Sequence, residues 1–151
     1  MTIRLSTGLR TNIVGNTGVG ATFTNGIVEI RTGSQPASAD SAATGTLLGT
    51  VTLNSLPFVP GSPTNGLTFG AAAGGVLAKS GVWAFSGIAA GTAGWFRLKA
   101  NALDNDALST TLPRLDGSVG VSGADMNLSN IAISVGAPTT VDSFTIAMPA
   151  Q

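Results

Sequence analysis

Apolar and polar residues alternate with a period of two along most of this chain. In Thr2–Ser6, Ile3 and Leu5 alternate with Thr2, Arg4 and Ser6. In Gly26–Thr32, Ile27, Glu29 and Arg31 share one face of a strand, and Val28 and Ile30 share the other. Thr46–Leu53, Leu67–Gly70, Gly75–Lys79, Val82–Ala89 and Trp95–Ala100 follow, then Arg114–Ser122, Ala124–Leu128, Ile131–Val135 and Val141–Met148. Turn residues punctuate these runs. Pro60–Gly66 ends on Asn65-Gly66, a pair suited to positive φ, and Ala90–Gly94 reads as the loop of a hairpin. No window sustains apolar residues at helical spacing. Helical turns are expected only at Thr7–Val14 and at Ala37–Ala43, the second equally readable as a compact loop.

This pattern predicts an all-β fold: an antiparallel β-sandwich, jelly-roll-like, with about ten short strands and little helix. Parallel α/β is disfavoured because no amphipathic helix separates successive strands. The length of 151 residues suits one domain, and no repeat, charge run or linker divides it. Residues 1–25 read as an extended N-terminal arm, with residues 10–25 and the Pro57–Asn65 region as the flexible segments.

Composition sharpens the picture by what it lacks. The chain has no His and no Cys. Ser-His-Asp and Cys-His triads, thiolate nucleophiles, ordinary zinc sites, haem ligation by His, iron–sulfur clusters and disulfides are therefore absent. No cofactor is expected. Seven basic residues balance seven acidic ones, so no electrostatic footprint for nucleic acid or an anionic membrane surface exists. From Ser41 to Ala78 no residue is charged, yet Pro57, Pro60, Pro63, Asn54 and Asn65 rule out a spanning helix there. Arg4 and Arg10 interrupt the N-terminus where a signal peptide would need an apolar run. Charged residues are 9% of the chain, against about 25% in ordinary soluble domains. With 43% hydrophobic residues and zero net charge, a free monomer resists association poorly, so composition leans toward an assembly component.

The few motifs that could carry chemistry are weak. Asp104-Asn105-Asp106 starts like a calcium loop, but Ala107 and Leu108 stop the ligand pattern, and a solvated turn is the better reading. Asp116-Gly117-Ser118 has the wrong order for an aspartic protease and reads as a turn or bulge. Lys79-Ser80 places the two side chains on opposite strand faces, so a dyad is disfavoured against a turn with an exposed Lys. Gly15–Gly20 matches neither dinucleotide nor phosphate-loop spacing and reads as a loop. No catalytic or metal residue is assigned, and no enzymatic activity is expected.

Trp95–Ala100 is the most informative short segment. Phe96, Leu98 and Ala100 suit a core; Trp95, Arg97 and Lys99 on the other face combine an aromatic with two cations. That set reads either as a protein interface or as an exposed face with a cation–π contact. The candidate interface residues are Trp83, Trp95, Arg97 and Lys99, together with Thr2, Ile3, Arg4, Leu5 and Arg10 of the N-terminal segment.

Gly26–Leu53 reads GIVEIRTGSQPASADSAATGTLLGTVTL, with Thr32-Gly-Ser-Gln-Pro36, Ala39-Asp40 and Thr44-Gly-Thr-Leu-Leu48 as its marks. With Thr92-Ala-Gly-Trp-Phe-Arg97 and Arg114-Leu-Asp-Gly117, this set resembles small proteins encoded among the virion-structure genes of tailed bacteriophages. The resemblance implies a capsid decoration (cement) protein located on the virion. It would bind the major capsid protein or other virion subunits, with itself as a further partner and a trimer favoured. A tail, collar or fibre subunit, with host glycan as a ligand, is the alternative. A carbohydrate-active enzyme on a β-sandwich is the remote one. The resemblance carries no functional residues with it.

Overall fold

The computed structural model describes residues 3–148. Strand β1 (Arg4–Leu5) leads into helices α1 (Thr7–Val14) and α2 (Val19–Phe23). Ten strands follow: β2 (Ile27–Thr32), β3 (Leu47–Leu53), β4 (Thr68–Phe69), β5 (Val76–Ser80), β6 (Trp83–Ser86), β7 (Gly91–Lys99), β8 (Arg114–Gly120), β9 (Met126–Leu128), β10 (Ala132–Ile133) and β11 (Pro138–Ala147). Strands hold 41% of the described residues and helices 9%, which makes the fold all-β as the alternation predicts.

The strands form a closed barrel. Its ring runs β8–β7–β2–β3–β6–β11–β9, and β9 returns to β8. All contacts in the ring are antiparallel except β8–β9. The pairing therefore departs from the expected jelly-roll-like sandwich, in which two sheets keep separate edges. Closure pairs those edges instead. The short strands lengthen the ring. β5 continues β6 along β11, β4 pairs with β5, and β1 occupies β9's row beside the lower half of β8.

Alternation decides what points inward. Val28 and Ile30 of β2, Phe96 and Leu98 of β7, Leu115 of β8 and Phe144 of β11 meet in one core. Trp83 sits at its centre. Its ring lies 5.2 Å from Phe69 edge-on and 5.6 Å from Phe144, and its indole N–H donates to the carbonyls of Thr68 (3.2 Å) and Ser80 (3.1 Å). Along β11 the buried residues alternate until Asp142-Ser143, where a bulge resets the register so that Phe144 and Ile146 still face inward.

Two glycines let backbones or rings approach where a Cβ could not. A Cβ on Gly117 would lie 2.7 Å from the Phe96 ring, and one on Gly94 would lie 2.0 Å from the Gly33 carbonyl. Asp116-Gly117 is thus mid-strand, not a turn, and its glycine serves packing. Ala90–Gly94 likewise forms no hairpin. β7 begins at Gly91 and pairs with β2 and β8, while β6 pairs with β3 and β11. Asn65 does adopt the expected positive φ, at 64°. Lys79 lies half-buried within β5, rather than exposed in a turn.

The N-terminal segment, from residue 3 onward, is not an extended arm. Thr7–Val14 is helical as expected, and Ser6 caps it by accepting the Leu9 N–H at 3.1 Å. Leu9 and Phe23, both fully buried, pull α1 and α2 against the end of the barrel. Gly15 and Gly18 end one helix and begin the next within the stretch read as a loop. Ala37–Ala43 is a compact loop, the second of its two readings. No helix among the described residues is long and apolar enough to cross a membrane.

A buried ionic cluster and an uncharged exterior

Charged residues recur two apart on three neighbouring strands: Glu29 and Arg31 on β2, Arg97 and Lys99 on β7, Arg114 and Asp116 on β8. That spacing puts each pair on one face, and the register sets Glu29 opposite Arg97 and Arg97 opposite Asp116. The face is the outer one, since the alternate residues fill the barrel. It is nevertheless buried, because residues 33–46 and 100–113 fold over it as a roof. Asp104 and Asp106 descend from the second of these loops, bringing the cluster to four cations and four anions.

Each charge has a specific partner. Arg97 donates twice to Asp116, at 2.8 Å each, and once to the Ser41 carbonyl at 3.1 Å. Arg114 forks onto Asp104 at 2.7 and 2.6 Å and reaches the Ala107 carbonyl at 2.8 Å. Lys99 donates to Glu29 (2.8 Å), Asp106 (3.0 Å) and the Asp104 carbonyl (2.9 Å). Arg31 closes the ring through Glu29 at 2.8 Å and Asp106 at 3.0 Å. The cluster ties sheet to roof, and bidentate geometry makes its Arg pairs direction-specific. Asp40 anchors the first loop to α1 by accepting the Thr7 N–H at 2.7 Å and hydroxyl at 2.6 Å.

Electrostatics differ among the acids. Burial dominates at Asp116 and pushes its carboxyl above the usual range, although Arg97 pulls the other way. At Asp106, burial also raises the carboxyl, but hydrogen bonding with Glu29 and the charges of Lys99 and Arg31 outweigh it and hold it below the usual range. Arg97 is held more firmly protonated than usual, because Asp116 and Asp106 overcome the burial that opposes its charge. A depressed carboxyl contributes stability that is present above its unfolded value and lost as pH falls through its folded one. Asp106→Asn should therefore flatten the loss of stability below about pH 4. Urea midpoints measured from pH 7 to pH 3 check this; an acid limb as steep as wild type's would contradict it.

The structure relocates most of the sequence-derived interface residues. Trp95, Arg97 and Lys99 are 1%, 0% and 3% exposed, under the roof rather than on an outer face. The segment reads as an interface because it is one, internal to the chain. The expected cation–π contact is present, with Arg97 5.4 Å from the Trp95 ring centre. Trp83 is core. Ile3 and Leu5 pack half-buried against the core, Arg4 donates to the Pro36 carbonyl, and Arg10 is exposed. Thr2 lies outside the described residues. Asp104-Asn105-Asp106 is neither a solvated turn nor a calcium loop, because its carboxylates are spent on Arg114, Lys99 and Arg31. The charged pairs two apart were legible in the sequence; that loop acids answer them was not.

Drawing so many charges inward empties the surface of them. Of the seven basic and seven acidic residues, only Arg10 and Asp142 are exposed. Large aliphatics stand out instead, including Val14 (89%), Leu103 (77%), Leu108 (74%) and Val135 (69%). Leu103 and Leu108 lie on the roof loop itself. A cleft of about 430 Å³ over β2, β3 and β6 is lined by Ile27, Thr50, Thr52, Phe58, Ser86 and Ile88, which are hydroxyls and hydrocarbon without a carboxylate. Among the described residues, no three carboxylates converge as a metal site. Comparison with protein families, characterised proteins and solved structures finds no match.

Proposed function

We propose that this chain is a non-enzymatic structural protein of a tailed-bacteriophage virion, a capsid decoration protein that binds across major capsid subunits and stabilises the head. The observation that carries the assembly part is the exterior with two exposed charges and many exposed aliphatics. A surface of that kind has little colloidal repulsion and is suited to being covered. The virion part rests on the resemblance of the Gly26–Leu53, Thr92–Arg97 and Arg114–Gly117 segments. Repeated over a lattice, modest apolar contacts add up, at about 25 cal/mol per Å² before association costs. Self-association, with a trimer favoured, belongs to the same reading. A barrel serves it as well as the jelly-roll-like sandwich would.

Two measurements test the proposal. Light scattering of the purified protein should show an oligomer. Quantitative densitometry of phage particles should show copies in the hundreds; a handful of copies would favour a tail, collar or fibre position. A protein that stays monomeric and never binds particles would defeat the assembly reading.

A further inference from the structure

The barrel is not equally closed along its height. At the level of β9, main-chain pairing runs unbroken round the ring. At the other end, β11 pairs with β5, β5 with β4, Leu67 with Gly26, β2 with β7, β7 with β8 and β8 with β1. Among the described residues the remaining neighbours, β1 and the end of β11, share no ladder. They face each other across a cleft of about 240 Å³ lined by Ile3, Leu5, Ile13, Val19, Ile146 and Met148. It runs on beside Val19 into a groove of about 310 Å³ floored by Leu77 and Val76.

Ladder parity shows what these two edges present. Ser6 N–H bonds the Arg114 carbonyl, so Leu5 and Ile3 turn their own N–H and C=O away from β8, toward the cleft. Met148 N–H bonds the Gly75 carbonyl, so Ala147 turns its N–H and C=O away from β5, toward the same cleft, whereas Thr145 on that side lies at the end of the β9 ladder, where Phe144 pairs with Met126. Two strand edges with main-chain donors and acceptors thus flank one apolar slot. A helix or small molecule could not satisfy both edges at once; an extended polypeptide could.

We infer that this seam is a strand-acceptor site, which takes an extended, uncharged segment of a different subunit between β1 and β11 and completes the barrel there. No charged side chain lines the cleft or the groove, so a charged strand would be desolvated without compensation. Inward residues of the incoming strand would be aliphatic, to fill the space above Ile13 and Val19. This chain's own described strands already hold places in the barrel, which points to a donor of another sequence. The inference does not depend on the virion reading, because it follows from the unpaired edges alone.

The test is amide hydrogen exchange on the full chain, free and with an acetylated, amidated eight-residue peptide of alternating valine and threonine. In the free protein, the amides of Leu5 and Ala147 should exchange freely while those of Ile146 and Met148 are protected. Millimolar peptide should slow the first two by roughly tenfold or more, and a proline-interrupted peptide should not. Ala147→Pro, which removes a cleft-facing N–H but spares the β5 ladder, should weaken binding about tenfold. Seam amides already protected in dilute free protein, no protection by peptide, or undiminished binding by a folded Ala147→Pro would each overturn the proposal. Protection that appears only on concentrating the protein alone would assign the seam to a second copy and overturn the different-subunit donor. Should Ala147→Pro not fold, the wild-type exchange measurement still decides.

Discussion

Replacing Arg97 with methionine should destabilise the folded chain by about 3–5 kcal/mol at neutral pH. Arg97 and Asp116 are both fully buried, and the guanidinium supplies both hydrogen bonds to that carboxylate. Methionine fills much of the same volume but leaves an anion in the interior with no partner of its own. The deficit should shrink as the medium is acidified. Burial already pushes the Asp116 carboxyl upward with its partner present. Without Arg97 the neutral acid is favoured further, so the group takes up a proton on folding. A raised carboxyl of this kind favours the fold below its unfolded value and opposes it as pH rises toward the folded one. The difference between wild type and variant in urea denaturation should therefore be smaller at pH 4 than at pH 7. Removing both charges together, as Arg97→Met with Asp116→Leu, should restore most of the loss. A double variant as unstable as the single one would show that the cost lies in the roof's contacts with Arg97, not in the stranded charge.

Trp83→Ala should cost a similar amount, about 3–5 kcal/mol, by a different route. The indole contacts Phe69 and Phe144, and truncation leaves a void where β6 crosses the centre of the core. It also abandons the carbonyls of Thr68 and Ser80, which the indole N–H joins. Trp83→Phe should recover the greater part of the packing and none of those hydrogen bonds. Thermal unfolding of the two variants separates the contributions. Because Trp83 is core, its truncation should act on monomer stability even under conditions where no assembly forms. A Trp83→Ala protein that unfolds like wild type yet fails to associate would place the tryptophan at an outer interface and contradict the packing described here.

The alternation of Ile27–Thr32, Trp95–Ala100 and Val141–Met148 was enough to read an all-β chain, because a side-chain period of two is a local property of extended backbone. Thr7–Val14 was expected as a helical turn and forms one, and the structure adds its cap, Ser6. The faces were legible too: Phe96 and Leu98 do point inward, and Trp95, Arg97 and Lys99 do share the opposite side. The local sequence could not say what covers that opposite side. Whether a strand face meets water, a partner or the chain's own loops is set by contacts between residues far apart in sequence. Here Asp104 and Asp106 come back onto Arg114 and Lys99, and Ser41 offers its carbonyl to Arg97. Closure of the barrel is equally non-local. It depends on β9 pairing with both β8 and β11, and three-residue Met126–Leu128 carries no mark of two neighbours. The sequence by itself determined most of the strands, their inward faces and the shortage of charge. Only the tertiary structure decided that the shortage falls on the outside, because burying a charge requires an opposite one within reach, and folding alone brings the two together.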